Sequence, residues 1–263
     1  MAGLEASSLP ILRNSRETIE DLGQSEDAVD ARMLADALAG DPLLAVKVYA
    51  HLAELRRGRE GTEAETLRQA LVMLGIGPFF RAFGAQACAE DTLAEQPEAL
   101  SGFEAVLERG RRAARFALAF AVQRMDHDTA LLYECALLHD FAELLAWLRA
   151  PALMLEIARR QQADSGLRSA AAQIALLGIR VSDLQQALMQ AWRLPRTLVM
   201  LADANLEATN TQARTVLLAI RLARHTAQGW NNAALDDDVR DIAALLHMAP
   251  GPTLALLQDV DES

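Results

Sequence analysis

Matched helix starts and stops recur at short intervals along this chain, and they narrow its fold more than any other feature. The stretch DPLLAVKVYAHLAELRRG places Asp41 as an N-cap and Pro42 at the first helical position, then runs amphipathically to Arg57 and stops at Gly58. TEAETLRQALVMLG opens on a capping box of Thr62 with Glu65 and closes on Gly75, after which Gly77 and Pro78 start PFFRAFGAQACAE. Further helices are predicted over 103–124, 128–148 and 151–164, and then over 168–176, 182–193, 195–205, 211–227 and 237–247. Ala and Leu dominate while aromatic and β-branched residues are sparse, which favours packed helices over sheet, so the predicted class is all-α. No repeat of fixed period is present. The polar, proline-bearing segment DTLAEQPEALSG, residues 91–102, breaks the periodicity and divides the chain into an N-terminal helical subdomain, 1–98, and a second helical subdomain, 99–263.

A chain of 263 residues with about half of them apolar can build a substantial core. Its net charge of −11 repels nucleic-acid phosphates, so generic DNA or RNA binding is not expected. Lys47 is the only lysine among the 25 basic residues, the rest being arginine. Cys88 and Cys135 lie in separate helical segments without CxxC spacing, which predicts packed, reduced thiols. The start, MAGLEASSLP, lacks the basic and apolar regions of a leader peptide, and no run approaches the length of a membrane span; a cytoplasmic protein without membrane attachment is expected.

Chemistry centres on LLHDFAEL, residues 137–144, where His139 and Asp140 stand side by side in an apolar run. Such a pair can offer ligand atoms to neighbouring divalent cations and activate water for phosphate ester hydrolysis, provided other helices supply more donors. Glu143, three residues after Asp140, faces the same side of a continuous helix. Around this pair stand further features in a fixed order: an early Leu9-Pro10, DPLLAVKV, TLRQALVMLGIGPFFRAF, ALLHDFAEL and the late ALMQAWRLPRTLV with Trp192, Leu194 and Pro195. In this order and spacing the chain resembles the HDOD domain, a bacterial signalling module related to the HD phosphohydrolases, over nearly its whole length.

That resemblance implies an N-terminal helical bundle packed against a divergent HD-like bundle, and a regulatory, protein-binding role. Active HD enzymes complete the metal shell with a His on the preceding helix and an Asp on a later one. The matching positions here hold Arg109, which cannot ligate a cation, and Ile220. Metal-binding relatives often carry further histidines where this sequence has LGIRVSD and LADANLE. His139 and Asp140 are therefore expected as a vestigial pair, with neither metal nor cofactor, and the chain as a non-enzyme. Arg109, or Arg112 one turn on, is expected to pair with Asp140 in place of the ion.

The remaining histidines offer no replacement: His51 lies in the first subdomain, His225 and His247 lack partners at ligand spacing, and His127 is twelve residues from His139, about 18 Å along a helix. Arg109, Arg111, Arg112 and Arg115 read as a solvated face with Glu104 and Glu108 as partners, or as an anion or nucleotide pocket. Phe79, Phe80, Phe83 and Met73 form a stripe at helical spacing that reads as core, or as a partner surface if Phe79 or Phe80 is exposed. Asp236, Asp237 and Asp238 read as cap and first-turn acids, and Asp126, His127 and Asp128 as a cap and interhelix turn. Nucleophilic catalysis lacks support, with no GxSxG, no cysteine near a histidine and no phosphate-binding glycine loop.

The expected function is a non-catalytic HDOD regulatory module acting on a protein partner, or on a second copy of itself as a homo-oligomer. Two alternatives stand beside it: a degenerate metal-dependent HD phosphohydrolase using His139 and Asp140, and a module sensing a cyclic dinucleotide or other nucleotide through the Arg109–Arg115 helix.

Overall fold

Asp41 shows how the sequence turns into this fold. The computed structural model describes residues 4–58, 61–164 and 166–262, so the first three residues of the stretch read for a leader lie outside the described residues. Asp41 Oδ1 accepts hydrogen bonds from the N–H groups of Leu43 and Leu44, both at 2.9 Å, and so caps the helix that Pro42 begins. Its Oδ2 accepts a third, from Leu12 N at 2.8 Å, which fixes the start of the first helix. A buried carboxylate is tolerated because these donors replace its water.

Every regular element among the described residues is helical; the only bridge is the isolated pair Ile11 and Cys88. The helices are α1 (Arg13–Gly23), α2 (Ala31–Leu38), α3 (Pro42–Leu55), α4 (Leu67–Leu74), α5 (Ile76–Phe83), α6 (Ala89–Thr92), α7 (Pro97–Gln123) and α8 (Thr129–Leu138). They continue with α9 (Phe141–Arg149), α10 (Pro151–Ala163), α11 (Ser169–Leu177), α12 (Val181–Ala191), α13 (Arg196–Leu201), α14 (Thr211–His225), α15 (Leu235–Leu246) and α16 (Pro250–Asp261). None is long and apolar enough to cross a membrane.

The chain divides into two compact units, and neither is continuous in sequence. The first comprises residues 1–105 and 140–199, the second 106–139 and 200–263. In the first, α4 packs on α2 and α3, and α9 on α10 and α12. In the second, α14 packs on α8 and α15, and α15 on α16. Helices α8 and α9 are each buried along most of their length, since LLYECALL and FAELLAWL have almost no polar face to turn outward.

Several local expectations need correction. Residues 91–102, read as a break in helical periodicity, are non-helical only over 93–96, between the end of α6 and the first turns of α7. Pro97 begins α7 instead of interrupting it, because the first turn of a helix needs no N–H from that residue. The capping box is displaced by one turn: Thr66 caps α4 by accepting from Gln69 N at 3.2 Å, and Gln69 Oε1 accepts from Glu65 N at 2.8 Å. The two glutamates thereby remain available to α13, Glu63 accepting from Arg196 N at 2.8 Å and Glu65 from the Thr197 hydroxyl at 2.6 Å. Phe79 is fully buried, stacked on Phe83 with ring centroids 5.0 Å apart, so it is core and not a partner surface; Phe80 is half-buried at its edge.

Candidate functional site

The predicted helix over 128–148 is interrupted at the HD pair itself. His139 closes α8, and Asp140 leaves the helical region at φ −108° and ψ 18° to become the N-cap residue of α9. Neither proline nor glycine forces the break. It is stabilised from far along the chain, where the buried Gln185 of α12 accepts a hydrogen bond from Ala142 N at 3.1 Å through its Oε1. Gln185 thus satisfies an orphan donor of the first turn of α9, and the Asp140 side chain, although at the N-cap position, makes no capping bond.

The W.LP motif supports the same turn. Trp192 at the end of α12 lies against Phe141, the residue after Asp140, with ring centroids 6.0 Å apart, and its Nε1 donates to Leu4 O at 3.2 Å. Two features fifty residues apart in sequence are therefore neighbours in the first unit. Asp140 is buried, while His139 and Glu143 are half-buried.

The other predicted site residues lie in the second unit and are already engaged. Arg112 forms a forked pair with Asp261, Nε to Oδ1 at 2.6 Å and Nη2 to Oδ2 at 2.8 Å, and Nη2 also donates to the Thr226 hydroxyl at 2.8 Å. Trp230 Nε1 donates to Asp261 at 3.0 Å. Burial pushes the Asp261 carboxyl up, but the hydrogen bond and charge of Arg112, with the Trp230 N–H, hold it below its ordinary value. This guanidinium is committed to α16 and not to the HD turn. Arg115 pairs with Glu108 at 3.2 Å. Arg109 lies on the same helix, half-buried, and Ile220 is buried in α14.

Sequence reasoning missed one cluster. Asp238, read as a dipole acid of α15, is buried with Arg221 Nε at an ion-pair distance of 2.8 Å and His225 Nδ1 at 2.5 Å, while Arg221 Nη2 reaches Asp241 at 2.5 Å. Arg221 and His225 are four residues apart on α14 and so face the same neighbour, a spacing that marks such a pair in sequence. Among the described residues, no group of three or more His, Cys, Asp or Glu side chains is arranged to hold a metal ion. The donor set at His139 and Asp140 therefore does not fit an HD metal centre.

A helical protein with an HD turn supported by a tryptophan–proline corner is what these observations define. The family model for the HDOD domain matches residues 9–207, and the chain belongs to this family. Among solved structures it is similar to the MmoQ response regulator of Methylococcus capsulatus str. Bath, at 18% identity and a TM-score of 0.68, with 92% of this chain and 99% of that chain covered. It is also similar to a virulence factor of Campylobacter jejuni subsp. jejuni, at 16% identity and a TM-score of 0.62, covering 96% and 90% respectively. At these identities the likeness is one of fold. No curated protein matches the chain.

Proposed function

We propose that this chain is a non-catalytic signalling module that works by association with a protein partner. The observation that carries the reading is the HD turn: His139 and Asp140 persist, but no third donor joins them among the described residues, and the positions of the other family ligands hold Arg109 and the buried Ile220. The similar MmoQ protein is a response regulator, which supports a regulatory role here. What remains of the site is a helix break held by Gln185 and Trp192, a structural use of a former catalytic position.

Elemental analysis of protein purified without chelator tests this, with substoichiometric transition metal expected. Stoichiometric iron or manganese, lost on His139→Ala, would overturn it. Affinity capture from the native host, with the full chain as bait, is expected to recover a specific partner protein.

A further inference from the structure

The first unit contains a cleft of about 750 Å³ bounded by residues 4–7, one face of α3, the end of α5 and the end of α12. This lies within the roughly 300–1,000 Å³ range of small-molecule sites. Its walls are apolar where Phe83, Trp192 and several alanines line it, cationic where Lys47, Arg57 and Arg193 do, and acidic at Glu5 and Glu54. Arg57 is matched by Glu54 at 3.1 Å. The other two cations are not matched in this way.

Lys47 is the only lysine in a chain that otherwise uses arginine. It is buried, and its ammonium donates to Leu9 O at 2.7 Å and to Gln86 Oε1. Two acceptors leave one of its three protons for something else. Burial lowers its pKa, with the charge of Asp41 opposing, so an anion in the cleft would favour the charged form. A compact ammonium fits a position that a guanidinium fork would overfill.

Arg193 shares a left-handed backbone with Met125 and His247. It follows α12 at φ 54°, the left-handed position that closes a helix through Leu194 N to Met189 O at 2.9 Å and Arg193 N to Gln190 O at 3.1 Å. Glycine takes this position without strain and arginine does not. Its guanidinium has no hydrogen-bond or ion-pair partner among the described residues, in a protein of net charge −11. A strained, unmatched arginine at the mouth of a cleft is better explained by what it binds than by what it stabilises. His51, edge-on to Phe83 at 5.5 Å, adds a ring whose burial lowers its pKa, so at neutral pH it can donate a hydrogen bond without adding charge.

We propose that this cleft binds a small organic oxyanion, a metabolite bearing a phosphate or carboxylate, whose charged group is held by Lys47 and Arg193 and whose body lies against Trp192 and Phe83.

Thermal-shift and calorimetric titration of the full chain with adenosine monophosphate, citrate and inorganic phosphate, each against sodium chloride of matched ionic strength, tests it. A saturable rise in Tm with adenosine monophosphate or citrate is expected, and which of them acts assigns the oxyanion. Arg193→Gly is expected to fold with an equal or higher Tm and to bind at least about tenfold more weakly. Lys47→Arg is expected to weaken binding with an unchanged circular dichroism spectrum. Absence of a saturable shift with all three probes at millimolar concentration, or an Arg193→Gly variant that binds like the parent, overturns the proposal. Inorganic phosphate binding as tightly as adenosine monophosphate would remove the apolar half of it.

Discussion

The two units differ in the charge they leave unspent. In the second, the arginines that link distant segments end on carboxylates: Arg112 on Asp261, and Arg221 on Asp238 and Asp241. The first unit fastens segments in the same way, Arg13 on Asp91 and Arg196 on Glu63, but its cleft also retains Lys47 and Arg193 with no carboxylate on either ammonium or guanidinium among the described residues. Charge that ends on a neighbouring carboxylate fastens helices together. Charge left facing a cleft is available to a ligand.

The comparison breaks most strongly at Asp238. Asp238→Ala removes the buried carboxylate shared by Arg221 and His225, and because both partners are about a third exposed and Arg221 keeps Asp241, it is expected to destabilise the protein by about 2–3 kcal/mol, read from the urea midpoint. A loss under about 1 kcal/mol would show that the second unit does not depend on the pair. In the first unit the sensitive point carries no charge. A Cβ added at Gly102 would lie 2.5 and 2.7 Å from Cζ2 and Cζ3 of the buried Trp147 ring, so Gly102→Ala is expected to cost about 1–3 kcal/mol, with altered tryptophan fluorescence. This loss should not depend on salt.

The smallest effect is that of acid. The Asp261 carboxyl is held below its ordinary value of 3.8 in the folded protein. A depressed carboxylate pKa contributes stability that is present above the unfolded value and lost as pH falls through the folded one. The protection of α16 amides, after correction for the intrinsic pH dependence of exchange, is therefore expected to be unchanged from neutral pH down to the ordinary carboxylate range and to fall below it. Arg112→Met, which removes the partner, should abolish this dependence; an acid response that survives in the variant would place its origin elsewhere.

Much of the fold was legible because helix ends are written locally. Asp41-Pro42 and Gly75 act where the sequence places them, and the predicted helices from 168 onward agree with α11 to α15 to within a few residues, except that α13 ends early, at Leu201. The misreadings share a cause: long-range partners chose among locally equivalent options. TEAETLRQ contains two consecutive capping boxes, Thr62 with Glu65 and Thr66 with Gln69, and the claims of Arg196 and Thr197 on Glu63 and Glu65 select the second. The apolar run through LLHDFAEL reads as one helix because nothing nearby reveals that Gln185, 43 residues beyond Ala142, will supply the cap for a second. The periodicity reading stops at 247, and α16, whose last turn carries the partner of Arg112, lies beyond it. Of the candidate site, His139 and Asp140 were visible as residue types, and the helix break at that pair was not. The Asp238 cluster was not, since acids in the first turn of a helix have a sufficient local explanation in the helix dipole.

The assignment of residues to the two units also sets an order of events during synthesis. The chain passes from one unit to the other after Ala105, between His139 and Asp140, and after Val199. With translation at about 5–20 residues per second, helices α1 to α6 wait several seconds for α9 and α12 to emerge before their own unit is complete. The second unit closes only when α16 arrives with Asp261. Neither unit can be cut out as one stretch of gene, and a ribosome stalled near codon 140 would present two half-built cores at once. The peptide bond joining His139 to Asp140 is thus a seam in folding time.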